Sequence, residues 1–488
     1  MLQFYDFFDC ILIVGLCRKY FCNENAEIWE ILANFAFSKG LLMKKTIILV
    51  LWALISSTAV FAQETILGID GEESTSVGIL IKEIESGRVL VEKNSQMALT
   101  PASVMKTITS ASVLSLEGGS RQFETQVVLR GSSAGGGVWF GDVVVKGVGD
   151  PNLESENFKS NRGFCDSIIV ALRQKGITKI DGTVVVEQSL RDAGPILQWE
   201  VEDLAWPYGA GLYGFNWRDN TVTVYPNSGR IVPAAPGLTL DVRPSRSDND
   251  FIRGIHSDKL VVYRRNTRED WGVKTTVPDP SAVFGAELAR KFERAGIAVG
   301  SVAKCAANDP ETSLYTHKSP EFSEILRSLM VRSDNLFAEG MLRSLAPGAG
   351  RKDAIEREKN LWATRGISPR YTIINDGSGL TRANRLSTRF IADVLEYMAK
   401  SDAAETYTGF FPVAGKEGTM RGMLAKSPLK GKIALKTGSV SSVQCYAGYK
   451  FNDDGKPTHI VVIMINGFFC PRAQVKKACE QLLEKTFL

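Results

Sequence analysis

Histidine is scarce: three in 488 residues, His256, His317 and His459, none close to another in sequence. That argues against a histidine-based serine triad and against a zinc-binding His-Glu-x-x-His helix. Paired cysteines are missing too. Eight cysteines occur, three of them (Cys10, Cys17, Cys22) within the first 42 residues, and there is no Cys-x-x-Cys. The other five, Cys165, Cys305, Cys445, Cys470 and Cys479, are an odd set that allows at most two bridges. They read best as buried small hydrophobes, with one bridge at most. Charge of one sign is equally lacking. The formal net is +4, without the concentrated basic patch that nucleic acid requires. No phosphate-cradling Gly-Lys-Ser/Thr motif exists. Gly209-Ala210-Gly211-Leu212-Tyr213-Gly214 has dinucleotide-fingerprint spacing, but no apolar strand precedes it and the alternating Thr221–Tyr225 follows. No metal or cofactor is expected.

Long apolar runs are confined to the beginning. Met43-Lys44-Lys45, the apolar Thr46–Ile55 and Val60-Phe61-Ala62 have the basic start, apolar centre and small-residue cleavage site of a secretory signal peptide over 43–62. Gln63 would follow the cut, where a lipid-anchored lipoprotein needs cysteine. Residues 1–42, whose longest apolar run is Cys10–Cys17, read as a mis-called upstream start or as a leader. The expectation is an exported, periplasmic protein with no transmembrane anchor, peripheral membrane association being left open.

What is present is a set of three short motifs in fixed order: Ser103-Val104-Met105-Lys106, Ser333-Asp334-Asn335 and Lys436-Thr437-Gly438. Together they form the signature of an active-site-serine enzyme that uses a lysine base. Each has rivals, so context decides. Ser301–Lys304 and Ser427–Lys430 repeat the first spacing, and Ser247–Asn249 repeats the second. Ser103 follows Thr100-Pro101-Ala102, a helix-entry signal, so Lys106 falls on the same helix face one turn on. Ser301–Lys304 alternates like a strand, and Ser427 precedes a proline in a polar stretch. Ser333–Asn335 is a polar break inside the apolar-periodic Ile325, Leu326, Leu329, Met330, Leu336, Phe337, Met341. Lys436–Gly438 ends the strand-like Lys432–Leu435.

The chemistry requires these residue types. A serine hydroxyl attacks once a base takes its proton, and Lys106 serves only with a neutral amine. Burial and a second cation, Lys436, would depress its pKa. Ser333 and Asn335 would relay protons and orient the substrate amide. The backbone N–H groups of Ser103 and Ser439 are the oxyanion-hole candidates. The Lys436–Ser439 strand, including Thr437 and Gly438, would bind an extended peptide by strand addition.

Strand patterns at 76–81, 88–92, 432–435, 443–449 and 459–465 enclose helical ones. They predict an α/β catalytic domain, a mostly antiparallel sheet between helices, formed by residues 63–121 and 309–488. The separation of 230 positions from Ser103 to Ser333 exceeds what linking two site elements needs. Residues 122–308 therefore read as an inserted, mostly β region, with a smaller nested β module at about 221–274.

The sequence resembles the class C low-molecular-mass penicillin-binding proteins, the D-alanyl-D-alanine carboxypeptidase/endopeptidases of the penicillin-binding protein 4 family. Besides the three motifs, the likeness rests on Gly147–Pro151, Trp199–Asp203, Tyr208–Gly211, Asp279-Pro280, Asp376–Leu380 and Ala414–Thr419. It implies a β-lactamase/transpeptidase-like αβα sandwich with a large insertion. It also implies action on peptidoglycan stem peptides and cross-links ending in D-alanine, and covalent inhibition by β-lactam antibiotics. By motif position it assigns Asp203, Tyr208 and Arg382 to a pocket for the free end of a diaminopimelate side chain. Two other readings compete. A class A-like β-lactamase needs a deacylating glutamate in a Glu-x-x-Leu-Asn setting, and Glu356 with Asn360 lacks the leucine. A non-catalytic peptidoglycan-binding protein would not need intact motifs.

Overall fold

The computed structural model describes residues 65–246, 250–255, 257–264 and 272–488. The leader and signal segment, His256 and the rival Ser247–Asn249 lie outside the described residues. The chain enters through the hairpin β1 (Ser76–Glu83) and β2 (Val89–Lys93), then passes a 3-10 turn at Ala102–Val104 into α1 (Met105–Glu117). β3 (Glu124–Gly135), β4 (Val138–Gly147), α2 (Phe164–Gln174), β5 (Lys179–Asp181) and β6 (Val184–Gln188) follow. Next come β7 (Thr221–Tyr225), β8 (Arg230–Val232), β9 (Thr239–Pro244), β10 (Asp250–Ile252), β11 (Lys259–Arg264) and β12 (Val273–Thr276). α3 (Pro280–Arg294), β13 (Ala298–Val299) and β14 (Glu311–Lys318) lead to α4 (Phe322–Arg332), α5 (Asn335–Ser344), α6 (Arg351–Thr364), α7 (Thr388–Ala399) and α8 (Ala404–Thr408). The chain ends on β15 (Ile433–Val440), β16 (Val443–Phe451), β17 (Pro457–Asn466) and α9 (Arg472–Phe487).

The two ends of the sequence share one antiparallel sheet, β15-β16-β17-β1-β2, in which Ser76 pairs with Asn466 and Glu83 with His459. β17 explains why. Ile460, Val462 and Met464 face the core under α1, while Val461, Ile463 and Ile465 face the core under α9. An unbroken run Ile-Val-Val-Ile-Met-Ile thus serves two faces at once, as a central strand covered on both sides must. α1 is buried on every side from Met105 to Leu114, Lys106, Thr107, Thr109, Ser110 and Ser112 included, so it is a core helix that carries polar groups inward. Layered helix, sheet and helix make the αβα sandwich that the family resemblance implies.

The middle of the chain builds a mixed sheet, β13-β5-β4-β3-β14 with β6 also on β4, and two three-stranded sheets, β10-β11-β9 and β12-β7-β8. Val127, Val143 and Val145 of the mixed sheet pack with Phe164, Ile168, Phe284 and Phe292 of α2 and α3. Residues 66–488 cluster as one unit nonetheless.

Three details differ from the sequence reading. β14 pairs with β3, Glu311 opposite Arg130, so the chain stays with the inserted sheet until Lys318 and not 308. Ser301–Lys304 is an exposed, non-strand segment. β15 runs on to Val440, which puts Lys436–Gly438 inside the strand, not at its end. All five described cysteines are free thiols, four of them buried. Among the described residues no helix is long and apolar enough to cross a membrane.

Candidate active site

Ser103 sits in the 3-10 turn that feeds α1, and Lys106 is one turn further on. The Lys106 amine is fully buried and has three neighbours: Ser103 Oγ at 2.9 Å, Asn335 Oδ1 at 2.6 Å and the Ser378 carbonyl at 2.6 Å. Both carbonyl-type oxygens only accept. A neutral amine has two N–H bonds and one lone pair. With both hydrogens given to Asn335 and Ser378, the lone pair is left for the Ser103 hydroxyl. Burial depresses the Lys106 pKa to about 8, against the upward pull of Asp376, Asp334 and Glu339.

Ser333 closes α4 in the left-handed region, φ 62° and ψ 38°, and Asp334 then caps α5 by accepting the Phe337 N–H. Non-glycine residues seldom adopt this conformation. Here it turns the chain sharply between two buried helices, and the Ser333 hydroxyl meets the Lys436 amine at 2.9 Å. Lys436 lies on the same face of β15 as Ala434, towards the α1 core. Its pKa is pushed well down by burial and then by the charge of Lys106. The charge of Lys106 thus disfavours that of Lys436, while the depression of Lys106 itself comes from burial and not, as the sequence suggests, from Lys436.

β15 supplies the other wall. In an antiparallel pair, alternate residues turn both backbone groups to one side. The Ile433 carbonyl and the Leu435 N–H bond outward to Ala414 and Pro412. Thr437 and Ser439 therefore also face outward, along a strand that is the edge of its sheet. Gly438 allows this edge to approach Ser103. A Cβ there would stand 2.6 Å from the Pro101 carbonyl oxygen and 3.1 Å from the Ser103 nitrogen. Gly438→Ala is expected to push β15 off the Ser103 turn and separate the Ser103 and Ser439 N–H groups. The expected loss in acylation rate is on the order of 10²–10³, the effect of losing one oxyanion donor. Stopped-flow acylation with a chromogenic β-lactam measures it, and an unchanged rate would remove Ser439 from the oxyanion assignment.

The Asp376–Thr381 turn holds the rear of the site. Asp376 accepts from Gly379 N, Thr381 N, Trp199 Nε1 and Asn384 Nδ2 at 2.7–2.9 Å. Gly379 (φ 75°) lies against Ala102, where a Cβ would be 1.9 Å from the carbonyl oxygen. The turn is thereby pressed onto the residue before Ser103. Sequence reasoning placed no site residue here except Arg382. The Ser378 contribution is a backbone carbonyl, which carries no residue-type signal, and Glu339, which binds this turn, was signalled only by its i, i+4 spacing from Asn335.

The pocket trio is partly assembled. Asn335 Nδ2 donates to the Tyr208 carbonyl at 2.8 Å, which fixes the inserted region to the site. Tyr208 Oη donates to Asp203 Oδ1 at 2.9 Å. Burial raises the Asp203 pKa, opposed by the Tyr208 hydrogen bond and by the charge of Arg382. The ion-pair partner of Arg382 is Glu200, at 3.6 Å, not Asp203. The rival motifs stay apart from this cleft's chemistry: Ser427 Oγ accepts from Leu429 N, and Glu356 is exposed on α6.

The chain is similar to known proteins in sequence and in fold. The D-alanyl-D-alanine carboxypeptidase DacB of Haemophilus influenzae is 27% identical over 425 residues, covering 81% of this chain and 86% of the relative. The D-alanyl-D-alanine carboxypeptidase of Actinomadura sp. (strain R39) is 26% identical over 431 residues, covering 80% and 78%. The crystal structure of penicillin binding protein 4 (dacB) from H. influenzae has the same fold, with a TM-score of 0.73 at 23% identity over 85% of this chain and 97% of that one. That protein has also been crystallised with a β-lactam. The model of the D-Ala-D-Ala carboxypeptidase 3 (S13) family matches residues 68–485, and the chain described here belongs to that family.

Proposed function

We propose that the chain is an exported, periplasmic active-site-serine D-alanyl-D-alanine carboxypeptidase/endopeptidase that acylates on Ser103 and trims or cleaves peptidoglycan peptides. The observation that carries this reading is the Lys106 amine, whose two donors are held at 2.6 Å by Asn335 and Ser378 while Ser103 Oγ lies 2.9 Å away. Export rests on the signal-peptide pattern at 43–62.

In the acylation step Ser103 Oγ attacks the penultimate D-alanine carbonyl as Lys106 takes the hydroxyl proton. The tetrahedral oxygen is received by the N–H groups of Ser103 and Ser439. Ser333, backed by Lys436, returns a proton to the departing amine, which is D-alanine in trimming or the cross-linked peptide in endopeptidase action. Water then hydrolyses the acyl-enzyme. A β-lactam enters the same step, but its leaving group stays tethered, and the acyl-enzyme persists. The inserted region, 122–308 by sequence, positions substrate through Tyr208 and does not supply the reacting groups.

Labelled penicillin with mass analysis of the modified peptide tests the reading, alongside product analysis from cross-linked peptidoglycan. Stable acylation at Ser103 with release of D-alanine or cleaved cross-links supports it. Rapid penicillin turnover would favour a β-lactamase, and no reaction a binding protein.

Side-chain selection is assigned to Asp203, Tyr208 and Arg382. Their opposite charges suit the amino and carboxylate groups at the end of a diaminopimelate side chain. A charge-assisted hydrogen bond contributes roughly 1.5–3 kcal/mol. Asp203→Ala is therefore expected to slow cleavage of diaminopimelate peptides about ten- to a hundredfold while leaving penicillin acylation nearly unchanged. Equal losses on both substrates would remove Asp203 from the pocket.

A further inference from the structure

Behind Lys106 lies a second buried acid, Glu339, that none of the three motifs contains. It stands four residues after Asn335 on α5, so the two side chains share one helix face. Glu339 is 2% exposed. Its Oε1 accepts from the backbone N–H groups of Gly377 at 3.0 Å and Ser378 at 2.8 Å. Its Oε2 meets no donor among the described residues. A half-satisfied buried carboxylate is an unfavourable choice for holding a fold together. What it does grip is the peptide groups around Ser378, whose carbonyl takes the Lys106 amine.

We propose that Glu339 is a positioning residue for acylation: by clamping the Gly377 and Ser378 N–H groups it aims the Ser378 carbonyl at Lys106, and so aims the amine's lone pair at Ser103. α5 then serves the base twice, directly through Asn335 and indirectly through Glu339. The turn between Gly377 and Leu380 is anchored on both arms, and Thr109 Oγ1 of α1 donates to the Gly377 carbonyl at 2.9 Å. Asp376 fixes its downstream arm through Gly379 and Thr381. Glu339 fixes its upstream arm, where the carbonyl in contact with Lys106 begins. With Glu339 removed, the Gly377 and Ser378 N–H groups lose their acceptor, the peptide carrying Ser378 O is held only through Thr109 and Asp376, and the lone pair of the amine is aimed less tightly at Ser103.

Glu339 also sets the charge environment of the base. The groups facing the Lys106 amine are Asp376 from the turn, Asp334 and Glu339 from the α5 segment, and Lys436 from β15. Those facing Glu339 are Asp376, Arg343 of its own helix, and Glu358 and Arg351 of α6. Burial and then Asp376 raise the Glu339 pKa to about 7, so near pH 8 its charge is present and favours protonated Lys106.

The proposal rests on the acylation reading, and its test separates the two. Wild type, Glu339→Gln and Glu339→Ala are compared by the rate of penicillin acylation from pH 5.5 to about 9.5, with thermal unfolding in parallel. Gln keeps a carbonyl acceptor for the two N–H groups but removes the charge. It is expected to hold the high-pH plateau within about threefold and to move the midpoint of the acid limb to lower pH. Ala removes the acceptor, and its plateau is expected to fall about 100-fold, the effect of an ångström-scale misplacement. Equal plateau losses in both variants, or variants that shift only the unfolding temperature while plateau and midpoint stay at wild-type values, would overturn the proposal. Should Ala fail to fold, an unmoved midpoint in Gln overturns it alone. A wild type that is not acylated at all would instead strike the proposed function.

Discussion

Ser103→Ala is expected to abolish covalent labelling by penicillin, with the protein still folded. Ser103 Oγ has one side-chain partner, Lys106, in a half-buried position. Losing that hydrogen bond costs about 0.5–1.5 kcal/mol, a small fraction of a typical domain's stability. The loss of chemistry is total by comparison, because no neighbouring hydroxyl can replace it. Ser333 is bonded to the Lys436 amine, whereas the Lys106 amine is shared among Ser103, Asn335 and Ser378 and does not bond Ser333. Ser301 and Ser427, which share the first motif's spacing, lie in an exposed segment and a turn without a buried lysine. Intact-mass and peptide-mass measurement after exposure to penicillin decides the matter. Acyl adduct on Ser301 or Ser427, or adduct retained in the Ser103→Ala protein, would defeat the assignment of the nucleophile.

The parts of this site that could be read in advance are those written in side chains at short spacing. Ser103 and Lys106 are one helical turn apart, so local geometry alone puts them together. Ser333–Asn335 interrupts an apolar helical period with three polar residues, and such a break in a buried helix requires a turn; the left-handed Ser333 supplies it. The central sheet was legible because β1 alternates through Val77, Ile79 and Ile81 and β17 is an unbroken apolar run. What stayed hidden depends on non-local pairing or on the backbone. β14 looks like a return to the catalytic layers, but its register is set by β3, nearly two hundred residues earlier. Ser301–Lys304 alternates as a strand should, yet β13 pairs with β5 through Ala298 and Val299 only. The Ser378 carbonyl belongs to a residue whose type is immaterial to its role. Arg382 is where the family pattern puts it, but its nearest acid is Glu200, a choice of rotamer that no motif encodes.

Lys106→Met should lower the acylation rate by about 10²–10⁴, the contribution of a positioned general base. Methionine fills much of the lysine volume without a proton acceptor, so the loss reports the base and not a cavity. The wild-type pH profile supplies an independent check. Lys106 acts as a neutral amine, and burial places its pKa at about 8. Acylation should therefore rise tenfold per pH unit below that value and level off above it. Lys106→Met should lose this limb together with the rate. Stability gives the same group a third signature. An ordinary lysine titrates near 10.5, so the folded protein carries fewer protons than the unfolded chain between about pH 8 and 10.5. The contribution of this group to stability must rise with pH across that window and is flat below it, opposed at the alkaline end by the buried thiols of Cys165, Cys445 and Cys479, whose pKa values are raised. Replacing Lys106 removes its share of the rise and leaves the share of Lys436, whose pKa is likewise depressed. Denaturant unfolding at pH 7, 9 and 10.5 measures the difference. A Lys106→Met protein with a wild-type pH limb in acylation would show that another group takes the Ser103 proton, and the lone-pair geometry at Lys106 would then be incidental.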